Sequence, residues 1–125
     1  MKAIFLIGIG GGLGSILRYA IGLLSQKLGV APFPLGTVIV NLTGSLLIGL
    51  LYGWHVRQSV PVYQDLQWLA ITGFCGGFTT YSAFSYDTLL LFEKGQYGTA
   101  VSYILVTLIG GWSLVYLGYL IVQKF

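Results

Sequence analysis

Four apolar stretches, each long enough to cross a bilayer and joined by short polar turns, leave this chain few ways to fold. They run over residues 3–24, 35–54, 66–91 and 97–122. A bilayer core takes about 20 residues of helix, so all four qualify. Little of the 125 residues remains for a water-soluble domain. Only 7% of the residues are charged, against about 25% in soluble domains. Short loops force neighbouring helices to run antiparallel, which brings both termini to one side. The reading is an all-α membrane protein: a single transmembrane domain, 1–125, of four helices. Lys2 and the apolar run behind it invite a cleaved leader. That run is long and glycine-rich, ends at Arg18 and lacks a small-x-small site, so it is expected to stay.

The third stretch carries an interruption. Gly73-Phe74-Cys75-Gly76-Gly77-Phe78-Thr79-Thr80-Tyr81-Ser82-Ala83-Phe84-Ser85 places three glycines, two adjacent threonines and two serines inside an apolar segment. These residues weaken a helix, and the sequence predicts a break near 75–80. Non-helical backbone survives at membrane depth only where it is buried in protein or lines a wet cavity. A broken helix of this kind points to an ion or substrate site.

The other stretches carry polar stripes. In the second, Thr37, Asn41, Ser45, Gly49 and Gly53 recur every four residues; in the fourth, Thr99, Tyr103, Thr107 and Gly111 do the same. In the first, Gly10, Gly14, Arg18 and Gly22 share that spacing. Small residues so placed let helices approach closely, and three stripes beside one break also suit a lined path. Asn41, a carboxamide deep in the bilayer, needs a partner; it either bonds a neighbouring helix or lines the path. Arg18 either snorkels to the headgroups or guards the mouth of an anion path. Asp65 reads as an N-cap. Tyr81, Phe84, Asp87 and Thr88 share one face after the break, with Asp87 near the interface. Cys75 reads as a small packing residue.

The groups offered to a permeant species are neutral donors: Asn, Thr, Ser and Tyr side chains, with the ring edges of Tyr81 and Phe84. Ring edges carry positive potential, so the set favours a small, hard anion. Carbonyls freed at the break suit a cation. Catalysis finds no support, since one His and one Cys form no nucleophile–base pair or metal cluster. The net charge of +3 is too small and scattered for nucleic acid. Orientation follows the Lys/Arg bias of short loops. Lys2, Arg57 and Lys124 stand on one side and Arg18, Lys27 and Lys94 on the other, so neither orientation is favoured. That balance suggests an antiparallel, dual-topology homodimer.

Three motifs resemble those of the Fluc (CrcB) fluoride channels. Residues Gly76-Gly77-Phe78-Thr79-Thr80-Tyr81-Ser82-Ala83-Phe84-Ser85 resemble the family's third-helix signature. Gly11-Gly12-Leu13-Gly14-Ser15-Ile16-Leu17-Arg18-Tyr19 resembles its first-helix motif, and the run from Pro34 to Ser45 through Asn41 is similar to its second. The resemblance implies a multi-pass protein of the inner cell membrane that exports fluoride passively through two pores in an antiparallel dimer. It also implies a structural sodium ion (Na+) at the dimer centre, held by the backbone carbonyls of Gly76 and Thr79. It assigns Asn41, Tyr81, Phe84, Ser82, Tyr103, Thr107 and Thr37 to the pore and Arg18 to the vestibule. Tyrosine at 81 departs from the family's phenylalanine. Two other readings share the four-helix outline. A small multidrug transporter would need a glutamate in the first helix, which is absent; a non-transporting assembly subunit would use the stripes only as seams.

Overall fold

The computed structural model describes residues 1–58 and 63–125. Among them every regular element is helical. Helix α1 spans Lys2–Lys27, α2 spans Leu35–Gln58 and α5 spans Tyr97–Lys124. These three are long and apolar enough to cross a membrane. Each runs a few residues past its apolar stretch, because the flanking polar residues continue the backbone ladder into the interface.

The third apolar stretch is composite. Helix α3 starts as Tyr63–Leu66, continues in π-helical form over Gln67–Cys75 and closes with Gly76–Phe78. Thr79 and Thr80 are extended, at φ −81°, ψ 158° and φ −152°, ψ 118°. Helix α4 then runs over Tyr81–Glu93. Thr80 caps it, its side-chain oxygen accepting the Ala83 N–H at 3.1 Å. Gly95, at φ +70°, ends α4 in the left-handed conformation that glycine adopts without strain. The Gln96 N–H then closes the turn on the Leu91 carbonyl at 2.9 Å.

Asp65 lies within α3 and its carboxylate pairs with Lys2, so it is not the N-cap that the sequence suggested. A basic partner across the bundle competes better for this carboxylate than an adjacent N–H. At the same end, the Arg57 guanidinium donates to the Val122 carbonyl at 3.1 Å, and the Gln123 amide to the Gly53 carbonyl at 2.9 Å. The start of α1, the end of α2, the start of α3 and the end of α5 thus share one end of the bundle.

Two seams hold the helices together. α1 packs along α3, and α2 packs along α5. In the first, Gly10 and Gly14 lie directly against the backbone of Leu69, Phe74 and Phe78, and Gly77 lies against Gly11. A Cβ at any of these three would collide with main chain. In the second, Gly49 and Gly53 meet the backbone of Val115 and Tyr119, and Gly118 meets that of Leu46 and Leu50. Gly8 and Gly12 take no part and face open space.

Candidate ion pathway

Polar residues of the α2 and α5 stripes border the interruption between α3 and α4. A cavity of about 260 Å³ opens there, lined by Asn41, Ser45, Thr79, Thr80, Tyr81, Phe84, Thr107, Gly111 and Trp112, among others. Two of the expected polar groups, Asn41 and Thr107, and both expected rings thus converge on one space. Ser45, Thr80 and Trp112 were not singled out as lining residues. Ser45 and Gly111 lay on the stripes; for Trp112 the sequence held no signal.

Asn41 is stitched to the interruption. Its Nδ2 donates to the Thr80 carbonyl at 3.1 Å, and the Thr80 N–H donates to its Oδ1 at 2.8 Å. One N–H of the carboxamide remains for the cavity. Three residues on, Gly44 lies against the Thr79 side chain and the Phe78 ring, where a Cβ would collide with Thr79. α2 therefore supplies both the space and the hydrogen bonds that the extended residues need.

These bonds have a consequence for two carbonyls. In a continuous helix the Thr80 N–H would reach the Gly76 carbonyl, and the Ala83 N–H the Thr79 carbonyl. Both donors are instead taken by side chains, Asn41 and Thr80. Gly76 and Thr79, the two residues expected to offer oxygens to a cation, are among the carbonyls that the interruption leaves without a helical donor. Between them, the Gly77 carbonyl accepts a weak bond from Ser15 at 3.4 Å.

Thr107 presents the opposite situation. Its Oγ1 is buried on the cavity wall and finds no partner among the described residues. An unsatisfied buried hydroxyl is unfavourable by about 1–3 kcal/mol.

An aromatic ladder leads away from this cavity. Tyr81 and Phe84 lie 6.0 Å apart by centroid, Phe84 and Tyr103 5.3 Å, and Tyr103 meets Phe33 edge-on at 5.9 Å and 88°. Phe33 borders a second cavity, of about 350 Å³, with Ser25, Gln26, Thr37 and Asp87. Here Asp87 Oδ2 accepts from Thr37 Oγ1 at 2.7 Å and from the Tyr103 hydroxyl at 3.1 Å. Thr37 and Tyr103, expected on the path, are thus engaged by a carboxylate, which needs donors once withdrawn from water. Tyr103 itself is fully buried. Ser82 is exposed and its hydroxyl lies 3.2 Å from that of Thr80. Arg18 is half-buried on α1 and lines neither cavity.

Long apolar helices around a donor-lined cavity define an integral membrane protein. Its sequence matches the family described as CrcB-like protein, Camphor Resistance (CrcB), over residues 5–119. Among its relatives is a protein of Azobacteroides pseudotrichonymphae named fluoride-specific ion channel FluC, 43% identical over 125 residues and covering 100% of this chain and 99% of its own. A protein of the same name from Gloeobacter violaceus is 48% identical over 116 residues, covering 92% of this chain and 91% of its own. Another, from Flavobacterium psychrophilum, is 40% identical over 124 residues and 99% of each chain. The chain belongs to the CrcB family.

Proposed function

We propose that this protein is a fluoride-selective channel and not an enzyme. It lets fluoride leave the cell passively across the inner membrane, lowering cytoplasmic fluoride. The observation that carries this reading is the 260 Å³ cavity, where the free N–H of Asn41, the unpartnered Thr107 hydroxyl and the Tyr81 and Phe84 rings meet. The names of the relatives supply the permeant ion. Fluoride, small and hard, gains most from closely spaced donors and positive ring edges. In liposomes under a potassium/valinomycin drive, fluoride efflux is expected while chloride is retained. Equal chloride efflux would overturn the reading.

The channel is an antiparallel homodimer with two pores, each subunit crossing the membrane four times, α3 and α4 together forming the third crossing. Two observations favour a second copy at the cavity. Tyr81 is 80% exposed and Trp112 79%, and both border its open side. An inverted pair brings two interruptions face to face, so that the Gly76 and Thr79 carbonyls of both copies converge. Each costs several kcal/mol if left unpaired in hydrocarbon. A sodium ion suits such an all-oxygen, neutral site and would tie the subunits together structurally. Two lysines added beside Lys2 should force one orientation and abolish flux. Coexpression with a copy carrying lysines beside Lys27 should restore it, and full flux from the first variant alone would refute the antiparallel arrangement.

A further inference from the structure

Resting on the channel reading, we infer that Asn41 is a positioning residue that holds the third crossing open and so creates the cation site, besides lining the anion cavity. Three observations converge. Asn41 bonds both backbone groups of Thr80. The Thr80 N–H that its Oδ1 takes is the one a continuous helix would give to Gly76. Thr79 and Thr80, the extended pair, have no other side chain from α2 bonded to their main chain among the described residues.

Consider the chain without this carboxamide. Thr80 would lose the partners of both its N–H and its C=O. The nearest remedy is the helical bond from Thr80 N–H to Gly76, which continues α3 into α4. Healing the helix removes the free oxygen at Gly76. One side chain therefore serves two ions: its remaining N–H faces the anion cavity, and its oxygen keeps a carbonyl available for the cation. The two sites are linked through a single carboxamide.

The two hydrogen bonds can be separated. Asn41→Asp keeps an oxygen to accept the Thr80 N–H but loses the donor to the Thr80 carbonyl. Asn41→Leu is close in size and loses both. Carbon-13 Cα and Cβ shifts of Thr79 and Thr80, measured by NMR on the dimer in lipid, report directly whether these residues are extended or helical. The sodium concentration that half-stabilises the dimer in detergent is measured by melting in sodium chloride against N-methyl-D-glucamine chloride. Wild type and Asn41→Asp are expected to show extended shifts at both threonines. Asn41→Leu is expected to shift toward helical values and to need at least about tenfold more sodium, from the lost pair of hydrogen bonds. Asn41→Ser, too short to reach both groups, replaces it if the leucine variant does not assemble.

Extended shifts and wild-type sodium dependence in Asn41→Leu, or in Asn41→Ser, would overturn the inference and leave Asn41 as a wall of the anion path alone. Wild-type protein that moves no fluoride would instead overturn the channel reading, and the threonine shifts would still report on the latch.

Discussion

The α1–α3 seam and the α2–α5 seam are written with the same small-residue spacing and end differently. Gly10, Gly14 and Gly77 press backbone on backbone and leave nothing between the helices. The α2–α5 seam closes in the same way at Gly49, Gly53 and Gly118, and elsewhere along it Asn41, Ser45, Thr107 and Gly111 border the cavity. A glycine stripe closes when main chain lies opposite. The cavity lies where polar side chains rather than glycine backbone line the helices, because these hold polar groups that dry packing would leave unpaired. One seam is a closed frame, and the other borders the cavity proposed to be the conduit.

Adding bulk to the closed seam should have the largest effect. Gly14→Val would place its Cβ on the Phe74 carbonyl and the Phe78 amide, main-chain groups that cannot move aside. Destabilisation of about 3 kcal/mol or more is expected, seen as loss of monodisperse protein on size exclusion. Normal yield would mean that the frame is no tighter than the conduit.

A charge placed in the open seam should leave assembly intact and stop transport. For Asn41→Asp, a negative group about 4 Å from the anion opposes it by about 4 kcal/mol at an effective dielectric of 20. Fluoride flux is expected to fall at least about 100-fold with the elution profile unchanged. Undiminished flux would take Asn41 off the path.

A smaller loss is expected at the ladder. Phe84→Ile keeps apolar bulk but removes the ring between Tyr81 and Tyr103, and flux should drop about tenfold, in line with an aromatic contribution of about 0.5–1.5 kcal/mol. Tyr81→Phe keeps its ring edge and should conduct as wild type.

The smallest change concerns Thr107→Val. It removes a buried hydroxyl without a partner, so stability, read from the melting temperature, should stay level or rise by about 1 kcal/mol. Flux should fall severalfold. A clear drop in melting temperature would mean that the hydroxyl has a structural partner in the assembled protein.

The sequence made the frame easy to read and the site only half so. Segment lengths follow from hydropathy alone, and α1, α2 and α5 lie where the apolar runs predicted. The interruption at Thr79 and Thr80 follows from glycine and β-branched residues set in an apolar run. The π-helical stretch over Gln67–Cys75, which packs along α1, carries no periodicity that distinguishes it from an α-helix. Spacing put Asn41 on a polar face and could not say that a backbone 39 residues away would take its carboxamide. Nor could it say that Asp87 would draw the hydroxyls of Thr37 and Tyr103 to itself. Those partners are settled by the tertiary meeting of three helices, which no periodicity within one helix records.

The interruption also bears on the order in which such a chain can be made. Neither α3, ending at Phe78, nor α4, at 13 residues, reaches the roughly 20 needed to span a bilayer alone. In the proposed arrangement the third crossing depends on a neighbour to shelter its extended residues. That neighbour, α2 with Asn41 and Gly44, leaves the ribosome first. By the time the third crossing emerges, the surface that accepts it is already in the membrane. A rearranged gene encoding α2 last would present a crossing with nowhere to settle, and would be expected to stall at insertion and be degraded before it ever met a partner.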